Sequence, residues 1–255
     1  MSAIGSGASA GLLFLGLLLF LEGGRRLGAR KEAAAEGAGG PFGAVEGAIF
    51  GLLGLMIAFT FSGAAARLDT RRAQIVQETN AIGTAYLRLD LLPPPARDAL
   101  RAQFREYVAS RLATYRKLPD VAAARAELDR SRGLQDRIWT DAVEAARKEP
   151  TSTAVLLLPA LNEMFDITTT RLAAMQMHPP AIVFAMLGVL ALVSALLAGY
   201  GMARVGSRPF LHPIAFAAIL AATVYVIIDM EYPRAGLIQV RDFDRLLEEI
   251  HEGMR

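Results

Sequence analysis

The sequence predicts an all-α integral membrane protein with four transmembrane helices and a water-exposed helical bundle inserted between the second and the third. This prediction depends on four apolar stretches, at residues 4–21, 47–66, 179–203 and 213–228. Each approaches or exceeds the roughly 20 apolar residues that cross about 30 Å of hydrocarbon, where a chain must be helical to satisfy its own backbone hydrogen bonds. The segment between the second and third stretches is rich in charged side chains and therefore meets water.

The first half of the chain is predicted to hold two membrane helices joined by a linker. Residues 23–41 are rich in glycine and alanine, which favours a flexible hairpin. The second helix is predicted to continue past the membrane to about residue 91, because Ile75, Ile82 and Leu89 recur at helical spacing and no proline intervenes. Pro93, which is followed by two further prolines, ends this helix.

Further helices are predicted before the third span, at about residues 96–117, 122–148 and 151–177. Ser152 or Thr153 is predicted to cap the last of them, and Pro159 to kink it. Residues 234–240 are predicted to be extended, and residues 243–253 to form an amphipathic tail helix. The predicted domains are a first transmembrane hairpin (1–66), a helical domain (67–178), a second transmembrane hairpin (179–230) and a C-terminal tail (231–255).

Composition agrees with a chain that occupies two solvents. Of the 255 residues, 53% are hydrophobic and 20% are charged, and the mean hydropathy is +0.35. Arg25 and Arg26 follow the first apolar stretch and no basic residue precedes it, so we interpret this stretch as an uncleaved helix rather than a secretory signal.

The residue inventory also limits the chemistry. The chain has no cysteine, which excludes disulfides, thiolate metal sites and cysteine nucleophiles. His178, His212 and His251 are scattered, and no hydrolase, metalloprotease or phosphate-loop motif is present. We therefore expect structural histidines, no enzyme activity, no metal and no cofactor. Because no basic block with interleaved aromatics accompanies the net charge of +2, we expect no nucleic-acid partner.

Small residues recur at a spacing typical of packed membrane helices. Gly47, Gly51 and Gly54 lie on the first half of the second predicted helix, and Gly7 and Gly11 lie on the first. Small residues let membrane helices approach closely, so this pattern predicts helix packing.

A stripe on the second predicted helix is the candidate pore constriction. Leu55, Phe59 and Ser62 stand at positions i, i+4 and i+7, which places them on one face. In an oligomer whose pore is lined by copies of this helix they would form rings. A hydrophobic ring can gate by dewetting, and aromatic edges present partial positive charge to an anion. The alternative is that Leu55 and Phe59 pack against neighbouring helices.

Three arginines follow directly at the predicted membrane exit. Arg67, Arg71 and Arg72 are candidates for an anion vestibule, since a ring of guanidinium groups collects anions. The alternative is that they snorkel toward lipid headgroups.

Polar residues that interrupt apolar helical patterns form a predicted polar network: Glu78, Asn80, Asn162, Glu163 and Asp166. Polar groups between helices need partners, so we expect an interhelical network, with Arg71, Arg88 or Arg171 as its cations, in preference to a cation or ligand site. Asp229 and Glu231 lie where the fourth span ends. Charges there anchor a helix at the interface, and the alternative is a gate.

Four segments resemble the bestrophin-like family of bacterial four-span membrane proteins. They read FTFSGAAAR at residues 59–67, ETNAIGTAYLRLD at 78–90, PALNEMFD at 159–166 and IDMEYPRAGL at 228–237. That family is distantly similar to bestrophin anion channels, although this chain lacks a recognisable acidic calcium-binding cluster.

The resemblance implies a passive ion channel with its pore lined by the second helix. The permeant ions that it implies are anions such as chloride. It also implies a homo-oligomer in the bacterial inner membrane, with five subunits as in channel bestrophins, cytosolic termini and a cytosolic helical bundle. The alternative function is a non-conducting membrane scaffold or sensor whose cytosolic helices bind a partner.

Overall fold

A computed structural model describes residues 3–34, 42–118, 120–203, 211–234 and 236–254. Within these ranges the chain forms helices, turns and bends, and no strand. The helices are α1 (Ala3–Ala34), α2 (Phe42–Arg88), a 3-10 turn (Leu89–Leu91), α3 (Pro94–Arg116), α4 (Val121–Ala146), α5 (Thr151–Gln176), α6 (Ala181–Met202), α7 (Leu211–Glu231) and α8 (Arg241–Gly253). The predicted all-α class is confirmed.

Four helical stretches are long and apolar enough to cross a membrane, as predicted. They are Gly7–Arg30, Gly43–Leu91, Thr151–Met202 and Leu211–Glu231. The third stretch includes α5 as well as α6, and α6 coincides with the span predicted at residues 179–203.

The chain divides into two compact units. Unit 1 comprises Met1–Ala66 and His178–Leu237, and unit 2 comprises Arg67–Met177 and Ile238–Arg255. Helix α2 contributes its first part to unit 1 and its second part to unit 2. Unit 2 therefore contains the predicted helical domain together with α8, and its cytosolic location stays a prediction.

In unit 1, α1 packs along α6 and α7, and glycines set the distance between α1 and α6. A Cβ atom added to Gly24 would lie 1.9 Å from the carbonyl oxygen of Leu196. A Cβ atom added to Gly199 would lie 1.9 Å from the carbonyl oxygen of Leu21. The two backbones are thus in direct contact, which only glycine permits at these positions.

The predicted hairpin at residues 23–41 is wrong over its first part, because α1 continues to Ala34. Gly24 and Gly28 of this segment lie in close contact with α6 and do not form a turn. Glu22 stabilises α1 through ion pairs with Arg25 and Arg26, at 2.8 and 2.7 Å. Residues 35–41 lie outside the described ranges.

The glycines predicted to pack helices are different from those that do so. Within the part of the chain that the structure describes, a Cβ atom at Gly7, Gly11, Gly47, Gly51 or Gly54 would meet nothing within 4 Å. The prediction is therefore wrong for contacts within one chain. At Gly47, Gly51 and Gly54, the first part of α2 is therefore not covered by any other described part of the chain.

Unit 2 has a continuous side-chain core. Helices α3 and α4 form its main pair, α5 packs on α4, and α8 packs on α3. Fully buried core side chains come from every helix of the unit and include Ile82, Phe104, Tyr107, Leu134, Ile138, Leu157, Leu161, Met164 and Leu247. Burial of this apolar surface is the dominant favourable contribution to packing in water.

Two local predictions in and beside unit 2 need correction. Neither Ser152 nor Thr153 caps α5: Pro150 is the N-cap residue, its carbonyl accepts the Thr153 amide at 2.9 Å, and the Thr153 side chain is buried. In the run predicted to be extended at residues 234–240, Arg234 lies in a turn and residues 236–238 form a bend. Pro159 lies inside α5, which continues to Gln176.

Candidate functional site

The stripe on α2 lies on the outside of unit 1. Leu55 is 52% exposed, Phe59 is 68% exposed, and Ser62 is also exposed. The opposite face of α2 is turned inward, where Leu53 and Ala64 are buried. At 3.6 residues per turn the two sets point in opposite directions, so intramolecular packing holds the stripe away from the chain's own helices.

A contact with α7 fixes this orientation. The ring of Phe50 meets the ring of Phe216 edge-on, with centroids 6.5 Å apart. Thr60 of α2 is half-buried, and its hydroxyl donates to the Met56 carbonyl at 2.7 Å. That hydroxyl is therefore satisfied within the helix, as a membrane environment requires.

The three arginines predicted to line an anion vestibule have different surroundings. Arg71 is buried, and its guanidinium donates to the carbonyls of Ala174 and Met177 at 3.3 and 3.0 Å. These carbonyls belong to the C-terminal turn of α5, whose last carbonyl groups have no hydrogen-bond donor within the helix. A cation there pairs with these carbonyls and interacts favourably with the helix dipole. Its guanidinium is therefore committed to helix capping and not to an open vestibule.

Arg72 is half-buried and forms an ion pair with Asp69 at 3.3 Å, and its guanidinium lies 5.6 Å from the ring centre of Phe243 in α8. Arg67 is also half-buried, and it has an interaction partner. The role of Arg67 in an anion vestibule stays a prediction.

A buried charge network lies at the centre of unit 2. Glu78 of α2 is 0% exposed and accepts hydrogen bonds from the Nε atom of Arg111 at 2.7 Å and from the guanidinium of Arg171. The hydroxyl of Tyr115 donates to the same carboxylate at 3.3 Å and accepts from Arg111 Nη2. One carboxylate is thereby shared between two buried guanidinium groups.

Aromatic contacts complete the network. The guanidinium of Arg171 lies 4.3 Å from the ring centre of Tyr115, and that of Arg111 lies 5.2 Å from it. Burial by itself would lower the pKa of Arg111, but Tyr115 and Glu78 outweigh this and raise it. Burial also raises the pKa of Tyr107, which keeps its hydroxyl neutral.

Only part of the predicted polar network is assembled. Glu78 is in it, paired with the predicted cation Arg171, whereas the other four predicted residues are exposed on unit 2: Asn80, Asn162, Glu163 and Asp166. These four lie on the outer faces of α2 and α5, because the inner face of α5 carries Leu157, Leu161 and Met164.

Sequence reasoning missed Arg111 and Tyr115. The signal for Arg111 is its position on the apolar stripe of α3, between Tyr107 and Tyr115 at i−4 and i+4. An arginine there cannot reach water along its own helix face and needs a buried counter-charge.

Asp229 and Glu231 are buried, at 1% exposure each, and not at an exposed interface as anchoring charges would be. Glu231 approaches Nδ1 of His178 at 3.4 Å, and the His178 ring stacks on Tyr232 with centroids 4.7 Å apart. A Cβ atom at Gly236 would overlap the Asp229 carboxylate, at 1.4 Å from Oδ1. The turn after α7 is therefore built directly against these two acids.

A family model described as "Bestrophin-like domain" matches residues 10–243, which is most of the chain. No curated protein and no solved structure matches.

Proposed function

The chain belongs to the bestrophin-like family, and from this premise we propose that it is a passive anion channel whose pore is lined by α2 in a homo-oligomer. The observation that carries the proposal is the orientation of α2. Its packing face is turned inward, while Leu55, Phe59 and Ser62 stand opposite and exposed. A membrane helix that exposes open glycines and a serine is better suited to a neighbouring subunit or a wet path than to lipid.

The proposed mechanism uses the order of residues along α2. Rings of Leu55 and Phe59 form an apolar constriction that is closed by dewetting and that offers aromatic edges to a partly dehydrated anion. Arg67 follows on the same helix and raises the local concentration of anions. The proposed path uses no residue of the buried network in unit 2, whose charged groups Glu78, Arg111 and Arg171 are buried.

Chloride flux in liposomes tests this function. Wild-type protein is expected to conduct above empty liposomes, Phe59→Ala to raise the flux by widening the constriction, and Arg67→Glu to lower chloride relative to cation permeability. Leu87→Ala is a control, since Leu87 is an exposed apolar residue of α2 in unit 2. If wild type and both pore variants are oligomeric and match empty liposomes, conduction is excluded and a scaffold or sensor is favoured.

Native mass spectrometry from mild detergent tests the oligomer. We expect a cyclic assembly, with five subunits as the leading number, in place of a stable monomer of 27.4 kDa. A monomer that persists in every mild detergent would remove the pore on the symmetry axis.

We further propose that unit 2 and both termini face the cytosol of a bacterial inner membrane. Because the chain has no cysteine, single cysteines report topology directly. An impermeant maleimide should label Ala35→Cys and Ser207→Cys in intact cells and leave Thr151→Cys unlabelled. Labelling at residue 151 alone would invert the orientation. Residues 35 and 207 lie outside the described ranges.

A further inference from the structure

Unit 2 contains a cavity between α3, α4 and α5 that the channel proposal does not use. Its volume is about 210 Å³, which is small beside the roughly 300–1,000 Å³ of sites for drug-sized molecules. It is therefore suited to a small ligand. Its walls combine apolar side chains with polar ones and include Arg111, Arg125, Leu128, Leu172, Met175 and Gln176.

The polar part of the lining favours an anion. Among the described residues, no acidic side chain lines the cavity. The hydroxyls of Thr114 and Thr168 donate to the backbone carbonyls of Ser110 and Phe165 at 2.9 and 2.7 Å, so their hydrogens are occupied. The donors that remain for a ligand are guanidinium and amide groups, which suit a carboxylate.

Arg111 offers an unused donor at the cavity. It is 2% exposed and uses Nε and Nη2 to bind Glu78 and Tyr115. Among the described residues, Nη1 has no hydrogen-bond partner. A buried guanidinium with a spare N–H group facing a cavity is a strong donor for an anionic ligand, because the surrounding dielectric is low.

The charge of the network points the same way. Glu78 supplies one negative charge to two guanidinium groups, Arg111 and Arg171, so the triad carries an excess positive charge. An uncompensated buried charge is costly, and an anion in the adjoining cavity would compensate it.

We propose that this cavity binds a small monocarboxylate with an apolar body. The carboxylate pairs with Arg111 and with Arg125, an exposed residue of the lining, and the apolar body lies against Leu128, Leu172 and Met175. A largely apolar wall disfavours polyanions. This site goes beyond the proposed conduction and does not depend on it, because binding is measured without any flux.

Isothermal titration calorimetry of the full-length protein in detergent tests the site, with sodium hexanoate as the probe. Hexanoate is expected to bind saturably, with one molecule per chain. Its affinity should exceed that of 1-hexanol by about tenfold or more, because 1-hexanol has the same apolar body without the charge. Empty micelles correct for partitioning. Absence of saturable binding, or equal affinity for 1-hexanol, overturns the proposal.

A matched pair of variants locates the site. Arg125→Glu is expected to weaken hexanoate binding roughly three- to tenfold, as charge reversal beside a partly exposed carboxylate does. Arg137→Glu is the control: Arg137 is exposed on the same helix, lies outside the cavity and has no ion pair among the described residues. It should bind as wild type does. Equal loss in both variants would show a general field effect and overturn the assignment.

Discussion

The two units of this protein hold their helices together in different ways. In unit 1, α1 and α6 meet backbone to backbone at Gly24 and Gly199. In unit 2, large side chains such as Phe104 and Ile138 fill the space between helices, and Glu78 is buried among them with its arginines. Lipid provides no hydrophobic drive for helices to associate, so close approach must supply the attraction there. In water, which is where the sequence predicts unit 2 to lie, apolar burial provides enough stabilisation to offset a costly buried charge.

The largest effect is expected for the buried charge of unit 2, and its absence would contradict the comparison of the two units. Glu78→Gln leaves Arg111 and Arg171 buried without a counter-charge, which should destabilise the unit by about 3–5 kcal/mol. Thermal unfolding followed by near-UV circular dichroism measures this. Glu163→Gln removes an exposed acid of the same unit and should stay within about 0.5 kcal/mol of wild type. A Glu78→Gln protein as stable as wild type would show that the network carries no structural weight.

The next effect tests unit 1 with one substitution made at two places. Gly199→Ala places a Cβ atom 1.9 Å from the Leu21 carbonyl oxygen, whereas Gly188→Ala, on the same helix α6, meets no described residue within 4 Å. We expect Gly199→Ala to cost about 1–3 kcal/mol through overpacking. Gly188→Ala should be neutral or stabilising by up to about 1 kcal/mol, since alanine favours helix. Unfolding by SDS titration in mixed micelles measures both. Equal stability of the two would refute the backbone contact.

The smallest effect concerns pH and sharpens the contrast between buried and surface charge within unit 2. A hydrogen bond from Lys117 at 2.7 Å holds the pKa of Glu127 below its usual range. A lowered folded pKa gives stability that is present above the unfolded value and is lost as the pH falls through the folded one. Because water screens this pair, the loss should be at most about 1 kcal/mol between pH 7 and pH 3.

Glu127→Gln should flatten that part of the pH dependence of thermal stability. Glu106→Gln removes an exposed acid of α3 and should leave the slope unchanged. A steeper acid loss in Glu127→Gln than in wild type would reverse the sign of this argument.

Much of the fold could be predicted because it depends on local pattern. Helices α2 to α8 begin and end within a few residues of the predicted bounds, since prolines and apolar periodicity mark them. The extension of α1 to Ala34 could not be predicted, because a glycine-rich run is typical of a turn and also of close helix contact. Gly24 and Gly28 serve the second purpose only because α6 lies against them.

The candidate site was predictable to a smaller extent. Glu78 is recognisable as an acid on an apolar stripe, but its partners depend on how α3 and α5 pack against α2. Because α5 is apolar on most sides, the sequence predicts that Asn162 and Glu163 belong to a buried network. The burial of Leu157 and Leu161 fixes the rotation of α5 about its axis, and this rotation turns Asn162 and Glu163 toward the surface. The role of the α2 stripe stays a prediction, because it concerns contacts beyond one chain.

The three members of the charge triad are synthesised at different times, because they lie far apart along the chain. Glu78 precedes Arg111 by 33 residues and Arg171 by 93. At a synthesis rate of about 5–20 residues per second, the first arginine follows the carboxylate after roughly 2–7 seconds and the second after roughly 5–20 seconds. Glu78 and Arg111 are therefore both synthesised before α5 supplies Arg171. The second guanidinium, and with it the excess positive charge of the triad, is present only after α5 has been made.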